Sequence, residues 1–366
     1  MYFNNKINKY ILEKTLNIIK KRNFTNIKEK IIKICKNKIK KIINCKKNEL
    51  IFTSCCTESN NIAIENITKN LKIKKIYTFK TEHLSIIKKI KNLKKSNKIK
   101  IKYINKHKKG YYNTNNINKK IKKNSLIIIS WINNETGVIQ NIKKICNICK
   151  KKNIFIHVDA THAFGKVKIN LKNINNITSM SFSCNKLSNL ESMSVLYINK
   201  KVRKYFKQIM FGGKQEYGIR PGTIPIINII IFGYQCMLII KNFKKINNKL
   251  IKISKIFIKR IKKIKGIEIN GNEKHLIDIF NISIKNSSRE LIKEFLKDFN
   301  FTFQSICIPN SKKSYVLKNI NIKDEKIYQS IRIKIEYNDK YKYIKKLINK
   351  IIKITNFIKK RNFNYV

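Results

Sequence analysis

The chain has 366 residues, enough for one large core or for two unequal domains. At 42% hydrophobic and 10% aromatic it is too rich in core-forming residues to be a disordered polybasic tail. A formal net charge of +63 first suggests nucleic acid or an anionic membrane as partner. The distribution argues against both. Lys, Ile and Asn run through every segment, Arg is scarce, and Gly and Pro number only 10 and 3, the pattern of a whole-sequence codon bias. A dedicated nucleic-acid surface concentrates its charge with Arg and stacking aromatics, so none is expected, beyond salt-sensitive sticking to RNA. The nine cysteines lack paired CxxC spacing for a metal, and no metal site is expected; Cys146 and Cys149 sit at helical spacing, as free thiols of a reducing compartment would.

The N-terminal stretch has no compact apolar core or cleavage site, so no secretory signal is expected. Short β-branched runs then alternate with lysine-faced helical patterns. Strands are predicted at Leu50–Thr53, Lys75–Phe79, Ile99–Ile104, Ser125–Trp131, Asn153–Val158, Thr178–Ser183 and Met193–Ile198. Helices are predicted between them at Glu58–Leu71, His83–Leu93 and Gln140–Lys151. The alternation implies an α/β layer on a mostly parallel sheet. The apolar run Ile224–Ile240 is interrupted by Pro225, Asn228, Gly233 and Gln235, which favours a buried helix over a membrane span. A long helical pattern continues to about Lys265. Strands Leu276–Ile284 and Ser330–Glu336 and helices Arg289–Phe299 and Tyr341–Ile358 follow as a smaller group. The domain boundary is placed near residue 244, giving a large domain over 1–244 and a small one over 245–366.

Three features carry chemistry. Asn153–Val158 delivers Asp159 at a strand end, where open α/β sheets build sites; the carboxylate suits a protonated ring nitrogen, and equally a helix cap. Thr178–Ser183 leads to Cys184, Asn185 and Lys186. A lysine past a buried strand can form a Schiff base with an aldehyde cofactor, although a solvated surface lysine has the same sequence signature. Thr53–Asn61 joins a strand to a helix, and its hydroxyls and N–H groups form either a phosphate cradle or a plain capping box from Ser54 or Thr57.

In this order and spacing, the segments Thr53-Ser-x-x-Thr-Glu-Ser-Asn-Asn61, Thr81-Glu-His83, Asn133-Asn-Glu-x-Gly137, His157-Val-Asp-Ala-Thr161, Ser181-Phe-Ser-x-x-Lys186 and Arg220-x-Gly-Thr223 form one set. With Ser305-x-Cys307, Ser314-Tyr-Val-Leu317 and Ser330-Ile-Arg332, the set resembles the cysteine desulfurases of the NifS/IscS branch of the class V aminotransferases, from about Leu50 to Glu336. The resemblance implies a fold-type-I pyridoxal-phosphate transferase and a homodimer with active sites at the subunit interface. Lys186 would hold the cofactor, Asp159 pair with its ring nitrogen, and His83 stack on the ring and move protons. Thr57 and Ser183 would bind the phosphate with Thr223 of the partner subunit, and Asn134 would bond near the ring oxygen and the substrate. Arg332 would clamp the carboxylate of L-cysteine, and Cys307 would take its sulfur as a persulfide, leaving alanine.

The chain departs from the family at several of these positions. Asn185 stands for a usual His and His162 for a usual Gln, and both can still bond the cofactor. Cys55 and Cys56 replace small residues of the phosphate motif, Tyr217 replaces an arginine, and the Cys307 loop lacks glycines and is one residue short. The implied function is desulfuration of cysteine for iron–sulfur cluster assembly and possible tRNA thiolation, delivered to a scaffold protein or other acceptor. The expected compartment is the cytoplasm, or its organelle or endosymbiont equivalent. The competing readings are a selenocysteine lyase or other class V enzyme, and a decayed homologue acting as a basic binding protein.

Overall fold

The computed structural model describes residues 9–10, 12–15, 17, 24–96, 99–104, 108–174, 176–185, 193–303 and 313–363. It divides into two compact units. The first comprises Met1–Asn105, Thr114–Ile132 and Asn141–Lys245; the second comprises Lys106–Asn113, Asn133–Gln140 and Ile246–Val366.

The first unit is built on a seven-stranded sheet ordered β1-β7-β6-β5-β4-β2-β3. Its strands are β1 (Leu50–Thr53), β2 (Lys75–Thr78), β3 (Lys100–Tyr103), β4 (Leu126–Ser130), β5 (Phe155–Asp159), β6 (Ser179–Ser183) and β7 (Ser194–Ile198). Pairing is parallel from β3 through β6, and β7 lies antiparallel to both β6 and β1. Six strands therefore run the same way, and Thr53, Thr78, Ser130, Asp159 and Ser183 end at one edge of the sheet. The central strands are buried on both faces, which is why β4 reads Leu-Ile-Ile-Ile-Ser without alternation.

Four helices of this unit matter to the site: α1 (Phe24–Ile43), α2 (Cys56–Asn70), α3 (Leu84–Ser96) and α4 (Ile142–Lys151). Helix α2 buries Ile62, Ala63, Ile64 and Ile67 in a cluster with Ile51, Ile76, Ile86, Ile90, Leu126 and Ile128. Helix α4 starts on the side chain of Asn141, which accepts from the Lys144 amide at 3.0 Å. Asn153, at φ 51°, turns the chain after α4 and delays β5 to Phe155, two residues later than the apolar run suggests. Cys146 and Cys149 point into the core as free thiols.

Helix α5 (Ile226–Ile261) is long and apolar enough to cross a membrane by length and composition, but half of its most apolar window is buried in protein. In the first unit it places Phe232 against Phe52 and Phe164.

The second unit holds an antiparallel sheet ordered β10-β11-β9-β8, with β8 (Ile267–Ile269), β9 (Ile279–Ile284), β10 (Phe301–Thr302) and β11 (Ser330–Lys334). Helices α6 (Arg289–Leu296) and α7 (Tyr341–Phe363) cover it. Ile292, Leu296, Ile344, Leu347 and Ile351 pack there on Phe280, Ile282, Ile331 and Ile333. Gly137 belongs to this unit; at φ +73°, any Cβ on it would collide with the Ile279 carbonyl.

Candidate active site

The carboxyl edge of the large sheet collects most of the residues singled out in the sequence. Asp159 is the last residue of β5 and only 6% exposed. Its Oδ1 accepts from the Thr161 amide at 3.0 Å and the Thr161 hydroxyl at 2.5 Å, and its Oδ2 accepts from Asn60 Nδ2 at 3.0 Å. A carboxylate has about four acceptor positions. These donors use three, so one further donor, such as a protonated ring nitrogen, fits. Asp159 thus both orders the turn after its strand and keeps capacity for a ligand.

Asn60 is buried in the first turns of α2 and joins three elements. Its Nδ2 also donates to Ser85 Oγ at 3.0 Å, and its Oδ1 accepts from His157 Nε2 at 3.0 Å. His157 lies two residues before Asp159 on β5, so both project from one face of the strand. The other His157 nitrogen, Nδ1, meets Ser179 Oγ at 2.8 Å. Burial pushes the His157 imidazole down to about 4, and the nearby Asp159 charge opposes that shift only in part. His83 stands just ahead of α3, half-buried. Its Nδ1 receives the Ser85 amide at 3.2 Å and lies 2.9 Å from Ser85 Oγ.

At the neighbouring end of the sheet, the first turn of α2 follows β1. Cys55 at its N-cap offers no side-chain cap, so first-turn N–H groups point outward for an anion. Thr57 is exposed there. Cys56 Sγ lies 3.5 Å from Ser194 Oγ, and burial lifts its thiol to about 12, so it is a neutral lining group. Glu58 accepts from the amide and the hydroxyl of Ser54, both at 2.6 Å, and from Arg220 Nε at 2.8 Å. These bonds hold its carboxyl below the usual range against the opposing effect of burial, the largest single influence. Ser183 closes β6, where its hydroxyl accepts from the Asn185 amide at 3.1 Å. The buried Ser181 Oγ, beside Asp159 in the sheet, has no hydrogen-bond partner among the described residues. His162 sits in the turn after Asp159, half-buried, and Thr223 is exposed on the loop beyond Arg220. An outward-facing helix N-terminus, a carboxylate with spare acceptor capacity and an unpartnered buried hydroxyl together fit a phosphorylated, ring-nitrogen cofactor.

Two predicted substrate contacts come together in the second unit. Arg332, on β11, donates from Nη1 to the Asn134 carbonyl at 3.1 Å. The turn presenting Asn134 is tied by Asn133 Oδ1, which accepts from the amides of Glu135 at 3.0 Å and Thr136 at 2.9 Å. Glu135 is buried and accepts from the Ser314 hydroxyl. Burial raises its carboxyl, and Ser314 and Arg332 pull against that rise. Lys186 and Cys307 lie outside the described residues.

Sequence reasoning did not single out Ser85 or Ser179, and quoted Asn60, His157 and Glu135 only as motif letters. The available signal was the i, i+2 spacing of His157 and Asp159 on a buried strand, which commits both polar groups to one face and so to shared partners.

The profile of the aminotransferase class-V family matches residues 5–308. The chain is 35% identical over 312 residues to the cysteine desulfurase IscS of Buchnera aphidicola subsp. Acyrthosiphon pisum (strain 5A), covering 84% of this chain and 77% of that protein. It is 29% identical over 314 residues to the mitosomal cysteine desulfurase of Encephalitozoon cuniculi (strain GB-M1), covering 84% and 72%. Among solved structures, a NifS-like protein superposes with a TM-score of 0.85 at 20% identity, over 98% of this chain and 97% of the other. That last likeness is one of fold.

Proposed function

The chain belongs to the class-V aminotransferase family, whose members are pyridoxal-phosphate enzymes, and from that premise we propose that it is a cysteine desulfurase. The observation that carries this reading is the buried Asp159–Asn60–Ser85–His83 network at the carboxyl edge of the sheet, beside an uncapped helix N-terminus. Pyridoxal phosphate, when bound, supplies an electron sink for charge developing at the substrate's carbon atoms. In this reading Lys186 holds the cofactor aldehyde, Asp159 accepts from the ring nitrogen, and His83 lies on the ring. The N-terminus of α2 with Cys56, Thr57 and Ser183 takes the phosphate, and Asn185 and His162 add hydrogen bonds to phosphate or ring. Thr223 completes the phosphate site from a second subunit, so the enzyme works as a homodimer.

Arg332 binds the cysteine carboxylate through paired N–H donors, beside Asn134. His83 carries protons at the reacting carbons. Cys307 attacks the substrate sulfur as a thiolate; the carbon–sulfur bond breaks, a sulfur–sulfur bond forms, and the carbon regains a proton to leave alanine. The persulfide passes to an iron–sulfur scaffold or another thiol acceptor. The eight described cysteines are all free thiols, which supports a reducing compartment such as the cytoplasm or an organelle equivalent.

The test is alanine and persulfide formation from L-cysteine by purified protein supplied with pyridoxal phosphate, beside Cys307→Ala and Lys186→Ala. Wild type should make both products in equal amounts. Cys307→Ala should bind cofactor yet form no persulfide, and Lys186→Ala should lose the visible band of the bound cofactor. Persulfide formation that survives Cys307→Ala overturns the assignment of that residue.

A further inference from the structure

The hydrogen-bond directions around Asn60 follow from the groups there that can act in only one sense. Asp159 accepts from the Thr161 amide and hydroxyl at Oδ1, and at Oδ2 it accepts from the Asn60 amide nitrogen at 3.0 Å. The Asn60 oxygen then faces His157 Nε2, which must carry a proton. His157, kept neutral by burial, is left with Nδ1 as an acceptor toward the Ser179 hydroxyl. On the other side, Ser85 Oγ accepts the second Asn60 N–H, so its own proton points to His83 Nδ1. The Ser85 backbone amide can only donate, and it donates to the same nitrogen. Nδ1 of His83 is therefore an acceptor, and the ring proton sits on Nε2.

We infer that Asn60 is a positioning residue that holds in one frame the ring-nitrogen partner Asp159 and, through Ser85, the orientation of the His83 ring, whose tautomer the Ser85 amide sets. This inference rests on the cofactor site proposed above. No other side chain of this size does the same work. Asp offers no donor to Asp159, Ser cannot reach three partners, and Gln places its amide one carbon too far out. The amide is 1% exposed, so water does not substitute for a lost partner. A carboxylate at this position takes the Ser85 hydroxyl proton. Ser85 Oγ then turns its proton away from His83, and Nδ1 keeps only the Ser85 amide as donor.

The experiment uses full-length protein labelled with 15N-histidine. Imidazole nitrogens are assigned through His83→Gln and His157→Gln, with spectra taken before and after adding pyridoxal phosphate. In cofactor-free wild type, His83 and His157 should both show Nδ1 as the accepting nitrogen and the proton on Nε2. In Asn60→Asp, where Nδ1 loses the Ser85 hydroxyl, the His83 Nδ1 signal should shift downfield toward that of a weakly bonded acceptor while the proton stays on Nε2. Cofactor affinity read from its visible band should fall about tenfold in both Asn60→Asp and Asn60→Ser, the effect of one charge-assisted bond. A wild-type His83 protonated on Nδ1 overturns the inference, whether or not the variants fold. So do folded variants in which both the His83 Nδ1 signal and the affinity are unchanged. Wild type that shows the expected tautomers but takes up no cofactor leaves the hydrogen-bond frame standing and removes the cofactor reading instead.

Discussion

His157 shows how a single buried ring reports on the whole site. Burial holds its imidazole at about 4, well below the ordinary 6.5. Unfolded chain therefore takes up a proton as pH falls through about 6.5, while folded protein stays neutral until about 4. The stability tied to His157 is complete above the unfolded value and drains away across that window as pH falls, by up to about 3 kcal/mol. Denaturant unfolding at pH 7 and at pH 5 should show a loss of stability in wild type that shrinks in His157→Gln, which cannot take up a proton. An equal loss in the variant would assign the effect to other groups. Asp159 and His83 were legible in the sequence because a strand end and a motif announce them. Ser85 and Ser179 were not, and Asn60 stood only as a motif letter whose role stayed hidden, since its partners lie far along the chain; His157 and Asn60 are 97 residues apart. Local spacing predicts which face a residue takes, not what the fold brings to meet it.

At the scale of elements, the loop leading to Thr223 is clamped by two ion pairs. Glu216 and Tyr217 adopt the left-handed backbone at φ 45° and 62°, a conformation that costs non-glycine residues energy. Glu216 is held there by Lys36 of α1, whose Nζ lies 2.8 Å from Oε2, and by the Phe52 amide at 2.7 Å on the outer edge of β1. The Tyr217 ring lies under the Arg203 guanidinium at 3.9 Å and near Lys36 Nζ at 4.9 Å. The second clamp, Arg220 to Glu58, ties the same loop to the first turn of α2. The Lys36 and Glu216 side chains are 4% and 3% exposed, so removing one partner strands a buried charge. Glu216→Gln is expected to cost about 3–5 kcal/mol, while Lys36→Met with Glu216→Gln costs much less. Thermal melts of wild type, single and double variants decide this; a double variant as unstable as the single one would mean that the pair is not the source. The strands were legible because their β-branched runs are long against a lysine background, and most ends agree within two residues. Lys36 was invisible in a chain where lysine is everywhere, and β10, two residues long, carries no periodicity to detect.

For the whole molecule the governing quantity is charge. Residues 341–363, which form α7, contain no acidic residue, and among the described residues exposed ion pairs such as Lys326–Glu268 and Lys313–Asp324 are few. Salt acts on both kinds of interaction. It weakens each exposed pair, worth at most about 1 kcal/mol, and it screens repulsion among the remaining cations. With 83 basic and 20 acidic residues, at most 20 cations can have an acid of their own, so repulsion is the larger sum. Raising ionic strength from ~0.01 M to ~0.15 M shortens the screening length from about 30 Å to about 8 Å. The melting temperature should therefore rise by several degrees over that range, with chloride and acetate acting alike. Inorganic phosphate should add a further increment, because the uncapped N-terminus of α2 is the phosphate site proposed above. A melting temperature that falls with salt would show that the exposed pairs outweigh the repulsion. If phosphate does no more than chloride at equal ionic strength, the α2 N-terminus is not an anion site in the cofactor-free protein. The screening half of the argument would stand unchanged.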